Sequence, residues 1–156
     1  MPRTRRLLMT ALVALSATSC GEPTPSEESS TAAAQPQPSV LALMLTEVAP
    51  ATDTLWGVDN PQSDADWQAL TNAADRTVLA FEAIKRGGSG PNDQDWADEA
   101  AWRAYADDVI AAARSAKLAI TARDMNALSD ANIALYTPCE ACHLDYHPGV
   151  TEPHQE

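Results

Sequence analysis

Apolar side chains recur every three or four residues along four stretches of the chain, and this spacing is the strongest constraint on the fold. In the second stretch, the residues with this spacing are Trp67, Leu70, Ala74, Val78, Phe81 and Ile84. No segment alternates apolar and polar residues as a half-buried strand does. The sequence therefore predicts an all-α fold, and a length of 156 residues allows one domain and little more.

The first two predicted helices have clear ends. The first runs from Val40 to about Trp56, and Pro50 is expected to kink it. The second begins at Ser63, whose side chain can cap a helix, and it stops at the glycine pair 87–88. Both helices are long enough to bury an apolar stripe.

The third and fourth helices complete the domain. The third runs from about Asp98 to Ala122, and the fourth opens at a cap residue, Asp124, and ends at the Pro-Gly pair 148–149. Connections of roughly 5 to 12 residues join antiparallel neighbours, as is usual in helical bundles. Residues 40–149 are therefore predicted to form an antiparallel, up-down-up-down four-helix bundle.

The composition limits the partners. Asp and Glu number 22 against 10 Lys and Arg, which gives a formal net charge of −12. There is no basic patch, so nucleic acid is not expected as a partner. Such a surface favours partners with a cationic docking face. The 30 alanines let helices approach closely, or leave room for something large and flat.

The N-terminus has the pattern of an export signal. "MPRTRR" is basic, the next 11 residues are apolar, and small residues lead to Cys20. The ending "ATSC" resembles the lipobox of bacterial lipoproteins, which implies cleavage after residue 19 and a lipid on Cys20. The mature chain would then carry 7 basic and 22 acidic side chains, a net charge of −15. An ordinary secretory signal that leaves Cys20 as a free thiol is the alternative.

The resemblance implies a domain held by lipid on the periplasmic side of a bacterial membrane. The outer membrane is favoured over the inner one because Asp does not follow Cys20. Residues 20–39 contain no aromatic or large aliphatic side chain before Val40 and are predicted to be a disordered tether. Residues 150–156 are predicted to be a flexible tail.

The pentapeptide "CEACH" at residues 139–143 carries the chemistry. Two thiols three positions apart lie one helical turn from each other, so both can add to the two vinyl groups at one edge of a haem. The adjacent His143 then presents its imidazole to the iron. The motif predicts one covalent haem c, attached through Cys139 and Cys142, with His143 as an axial ligand.

Other interpretations of the pentapeptide stay open. A zinc site could combine Cys139 and Cys142 with His143 or His147 and with His154, although structural zinc ligands usually come from separate turns. A thioredoxin-like pair usually follows a strand, and none is predicted. A simple disulfide and a chance cluster are the remaining alternatives.

A CxxCH motif on the last helix of an alanine-rich four-helix chain resembles the class II c-type cytochromes, the cytochrome c prime group. The resemblance covers about residues 40–148. It implies a haem inside the bundle, thioether links at Cys139 and Cys142, and His143 as the proximal ligand. In the family pattern C-x-x-C-H-x-x-aromatic-basic, Tyr146 fits the aromatic position, and His147 stands where Arg or Lys is usual. The family also implies a possible homodimer.

Topology suggests the sixth iron ligand. In an up-down-up-down bundle the first helix begins where the fourth ends, so Met44 is expected level with His143. Met125 lies at the other end, and Met1 and Met9 leave with the signal. Met44 is therefore the candidate sixth ligand, and a core methionine that only packs is the alternative.

The remaining features receive simpler interpretations. The four tryptophans are expected to pack between helices, and "NDQDWADE" (residues 92–99) is expected to be a solvated loop and helix start. His147 is expected at the haem edge. No phosphate loop or catalytic triad is present, so the expected function is that of a monohaem electron carrier for a redox partner protein, not an enzyme. The alternative is a protein that binds or senses nitric oxide at an open sixth site.

Overall fold

The computed structural model describes residues 37–147, and within them every regular element is helical. Residues 40–56 are helical without a break and are called here the first helical stretch. The elements are α1 (Val40–Leu43), a π-helical segment (Met44–Val48), α2 (Ala49–Trp56), α3 (Asp64–Ile84), α4 (Asp93–Asp98), α5 (Ala100–Ala122) and α6 (Met125–Tyr146). The all-α prediction is confirmed for this part of the chain.

The first helical stretch has the predicted extent but contains a π-helical segment that the sequence analysis missed. Pro50 explains it, since proline has no N–H to donate to the carbonyl of Thr46 and its ring clashes with that carbonyl. Arg76 of α3 supplies the missing donor, because its Nη2 lies 2.9 Å from the Thr46 oxygen. Met44 is the first residue of the π-helical segment.

The start of α3 confirms the predicted capping by Ser63. The Asp66 amide donates to Ser63 Oγ at 3.2 Å, and the Ser63 amide donates to Asp66 Oδ2 at 2.9 Å. The Gln62 and Ser63 amides, in that order, lower the pKa of the Asp66 carboxyl. The helix ends at Ile84, and Gly87 then turns the chain with a φ of 86°, which glycine adopts without strain.

The prediction for residues 92–99 was wrong for Asp93. This residue is 4% exposed, and its Oδ2 accepts hydrogen bonds from the amides of Val40 at 2.8 Å and Gly90 at 2.7 Å. A Cβ added at Gly90 would lie 2.6 Å from the Asp93 carboxylate, so the glycine makes room for this contact. Residues Asp93–Asp98 form a separate short helix, α4, and Asp93 joins it by a hydrogen bond to the start of the first helical stretch.

The start of α6 confirms Asp124 as the predicted cap residue. Asp124 Oδ1 accepts from the amides of Asn126 and Ala127, both at 3.0 Å, and α6 begins at the next residue. The helix continues through a buried proline, Pro138, to Tyr146. Its predicted stop at residues 148–149 lies outside the described residues.

The core is built from small and branched side chains. Helix α5 packs against both α3 and α6, and α2 packs against α3. Alanines are fully buried where α3 meets α5, as at Ala74 and Ala113, so these helices approach closely. A cavity lies between the first helical stretch and α6.

Several predictions concern residues that the structure does not describe. Cys20, the signal sequence, most of the tether, His154 and the tail at 150–156 lie outside residues 37–147. None of the helices between residues 40 and 146 combines the length and the apolar character needed to cross a membrane.

Asp93→Ala is expected to destabilise the protein by about 2 kcal/mol, because it leaves the buried Val40 N–H and the partly buried Gly90 N–H without their acceptor. Urea unfolding followed by circular dichroism measures the change. Asp95→Ala is the matched control, since Asp95 is an exposed residue of the same helix, and its effect should stay within about 0.5 kcal/mol. Equal losses for the two variants would contradict the role given to the Asp93 carboxylate.

Candidate functional site

A cavity of about 610 Å³ is bounded by the first helical stretch, the start of α4 with the loop before it, and the end of α6. Its volume is in the range of small-molecule and cofactor sites. Four of the predicted site residues line it: Met44, Cys139, Cys142 and His143. The structure therefore brings together residues that are about 95 positions apart in the chain.

The α6 wall carries the pentapeptide. Helical geometry places Cys139 and Cys142 one turn apart, and His143 follows on the same wall. Both cysteines are free thiols rather than partners in a disulfide. The next turn adds Tyr146 and His147 to the lining of the same cavity.

Burial shifts the pKa values of the ionisable side chains on this wall. It raises the pKa of the Cys139 thiol to about 11, and burial with the nearby Cys139 and Asp145 raises the pKa of Cys142 to about 12. Burial, and secondarily His147, lowers the pKa of the His143 imidazole. At neutral pH the thiols are protonated and His143 is neutral. Reactive CxxC pairs have lowered thiol pKa values, so the thioredoxin-like interpretation is disfavoured.

The opposite wall is apolar. Met44 is half-buried there, and Leu41 and Leu45 beside it are 61% and 65% exposed. Two hydroxyls on this side already have partners: Thr52 Oγ1 donates to the Val48 carbonyl at 3.0 Å, and Ser39 Oγ accepts from the Ala42 amide at 3.1 Å. Large apolar side chains that face a cavity indicate a site for an apolar surface of comparable size.

Aromatic rings form a third side. Trp96 and Trp102 stack with centroids 5.3 Å apart, and Tyr146 meets Trp102 edge-on at 5.0 Å. Polar tips point to fixed partners: Trp102 Nε1 donates to the Ile84 carbonyl at 3.0 Å, and the Tyr146 hydroxyl donates to Glu99 at 2.7 Å. Burial and this carboxylate raise the pKa of Tyr146 to about 12.

Three of the four tryptophans border the cavity, which the sequence analysis did not predict. Trp96 and Trp102 pack between helices as expected, but together with Trp56 they also line the cavity. Their spacing along α4 and α5 gave no signal of this, because the cavity is formed by parts of the chain that are distant in sequence.

Asn132 closes the space between α2 and α6 and was also missed. Its Nδ2 donates to the Leu55 carbonyl at 2.8 Å, and its own carbonyl accepts from Trp56 Nε1 at 3.4 Å. Its Oδ1 is buried without a partner among the described residues. These two hydrogen bonds, called here the Asn132 clasp, tie the last turn of α2 to α6.

The other candidate ligands are placed elsewhere or are too few. Met125 lines a separate groove rather than the cavity. Among residues 37–147, no three His, Cys, Asp or Glu side chains are arranged to hold a metal ion. The zinc interpretation also invoked His154, which lies outside the described residues.

No protein-family model matches the chain, and comparison with curated proteins and with solved structures gives no match either. What the cavity can hold is therefore argued from its own side chains.

Proposed function

We propose that the chain is a monohaem c-type cytochrome that carries single electrons. One observation carries the proposal: Cys139, Cys142 and His143 line a single cavity whose opposite wall holds Met44. Cys139 and Cys142 would hold a covalent haem through their sulfurs, and the His143 imidazole and the Met44 thioether would be its candidate iron ligands.

The residues fit this group chemically. Each protonated thiol can add across a vinyl group, its sulfur to one carbon and its hydrogen to the other, so attachment at Cys139 and Cys142 needs no oxidant. The neutral imidazole of His143 has a nitrogen lone pair free for iron. When bound, a haem supplies an iron that gains or loses one electron.

Part of the remaining lining is apolar. Leu41, Leu45, Val48 and Phe81 offer only hydrocarbon surface. Burial of apolar area of this kind favours a large planar apolar group at about 25 cal/mol per Å². The exposed fractions of Leu41 and Leu45, high for leucines beside a cavity, would fall when such a group fills it.

We propose further that the helices form the up-down-up-down bundle expected from the sequence. Ion pairs between α3 and α5 support opposite directions for these helices, because the partners run in reverse order: Asp64–Arg123, Asp75–Lys117, Glu82–Arg114 and Lys85–Asp107. A hydrogen bond of 2.7 Å from Tyr105 near the start of α5 to Asp145 near the end of α6 supports the same for that pair. The resemblance to class II c-type cytochromes depends on this arrangement.

A second candidate function is the binding of nitric oxide at an open sixth position. The observation that favours it is the apolar character of the wall around Met44, with Leu41, Leu45 and Val48 beside it. If Met44 only packs, this wall gives a small neutral gas access to iron without a competing polar ligand.

For the location, we propose attachment by lipid at Cys20 to the periplasmic side of a bacterial membrane, more specifically the outer membrane. The export pattern and the "ATSC" ending support it. Attachment of c-type haem outside the bacterial cytoplasm is consistent with the same destination.

Replacing both Cys139 and Cys142 by Ala should abolish covalent haem, because no thioether can then form. Haem staining of a denaturing gel, from cells able to mature c-type cytochromes, measures this. Cys20→Ser is the matched control and should keep its stain. Undiminished staining of the double variant would contradict the proposal.

The double variant should also unfold at a lower urea concentration than the wild type, since its cavity would no longer be filled by an apolar group.

Met44→Ala should remove the sixth ligand. The ferric protein should then lose its methionine-to-iron charge-transfer band, become high spin and, once reduced, bind carbon monoxide or nitric oxide more readily. The reduction potential should fall, because the soft sulfur favours ferrous iron. Met125→Ala is the control and should leave the spectrum unchanged. If the wild type is already high spin and Met44→Ala matches it, Met44 is a packing residue and the gas-binding function is favoured.

Cys20→Ser should release the protein from the membrane into the soluble periplasmic fraction, because it removes the sulfur that would carry the lipid. Cell fractionation with an antibody against the domain measures the distribution. A wild-type chain that is already soluble in the periplasm would contradict the lipobox interpretation.

A further inference from the structure

A second open space lies beside the candidate haem cavity. This groove, of about 620 Å³, runs between the end of the first helical stretch and α6. Three large side chains on it are markedly exposed: Trp56 at 41%, Ile133 at 66% and Tyr136 at 53%. Adjacent exposed side chains of this size mark interaction surfaces more often than isolated ones do.

The groove is formed before any partner binds. The Asn132 clasp joins its two sides, and the Trp56 and Tyr136 rings meet edge-on with centroids 6.2 Å apart. A preformed groove costs less conformational entropy to occupy than one that must be ordered on binding.

Trp56 connects the groove to the candidate haem cavity, because its side chain lines both. A molecule seated in the groove would therefore contact a ring that also borders the cofactor position.

The charges around the groove indicate which kind of molecule would bind there. No Lys or Arg occurs at residues 37–75 or 124–147, which include both sides of the groove. The seven cations of the described residues belong to α3, α5 and the turns that follow them, and five of the seven pair with carboxylates there or on the first helical stretch. Asp59 lines the groove, and Glu140 accepts from the Tyr136 hydroxyl at 3.3 Å.

We propose that this groove docks a redox protein whose contact surface has an apolar centre within a rim of lysines or arginines. The proposal rests on the proposed function: one electron passes between the two cofactors, so one iron is oxidised as the partner's cofactor is reduced. Opposite charges bring the surfaces together and orient them. A second copy of this chain would bring two cation-free faces together, and an anionic lipid surface would be repelled.

The test measures the second-order rate of electron transfer from the reduced protein to an oxidised, lysine-rich small c-type cytochrome by stopped flow. Asp59→Lys should lower the rate at low ionic strength about fivefold or more, because it places a cation in the groove. Asp108→Lys changes net charge equally on exposed α5 and should change the rate less than twofold. The difference should vanish at about 1 M salt, where the Debye length is about 3 Å.

An apolar pair separates contact from charge. Ile133→Ser should lower the rate severalfold at every salt concentration, whereas Leu118→Ser, at an exposed leucine of α5, should not. If the members of each pair behave alike, the groove is not the docking site and the proposal is overturned.

Each variant is first checked for haem stain and an unchanged visible spectrum, which keeps failure of docking distinct from failure of the proposed function. Should the wild-type chain carry no haem, the proposed function fails, and the groove is then tested by binding alone. Amide chemical shifts are followed as the same lysine-rich probe is added. Shifts that cluster around Ile133 and Tyr136 support the groove; shifts clustered elsewhere, or none, overturn it.

Discussion

The buried carboxylate of Asp93 holds in place the wall that carries Met44. It accepts from the first amide of the first helical stretch, Val40, and from Gly90 in the loop before α4. At the other end of the same stretch, Asn132 holds the last turn of α2 against α6. The helical stretch is thus held at both ends by polar contacts and packs against α3 between them, so its middle stands apart from α6. That separation is the cavity.

Local chemistry made much of the fold predictable. The Ser63 and Asp124 caps act within three residues of themselves, so they can be recognised in a sequence. The hydrogen bond from Arg76 to the Thr46 carbonyl and the contact between Asp93 and Val40 could not be predicted, because the partners lie 30 and 53 residues apart in the chain. The candidate site likewise has a predictable and an unpredictable part. "CEACH" is a local pattern that can be recognised in the sequence, whereas its proximity to Met44 could be predicted only by assuming the topology of the bundle. Iron ligation by Met44 stays a prediction.

Side-chain size is distributed unevenly, and this favours a filled cavity. Where α3 meets α5 the buried residues include several alanines, so the helices pack closely and leave little room. Towards the first helical stretch and α6 the side chains are larger, yet Leu41 and Leu45 remain well exposed. A small domain gains little stability from an alanine-rich core. An apolar group held between these walls would supply contacts that the protein does not make with itself.

The positively charged side chains are also distributed unevenly over the helices. The cations of residues 37–147 lie in or next to α3 and α5, most of them are in ion pairs, and none of them lines the cavity. Among the described residues, a haem in this cavity would find hydrogen-bonding groups such as Asn92 and His147 for its carboxylates, but no lysine or arginine. Uncompensated negative charge near the iron stabilises the ferric state, whereas a methionine sulfur stabilises the ferrous one. The reduction potential would therefore be set by two opposing effects, and the thioether of Met44 would decide how far it rises above that of a five-coordinate site.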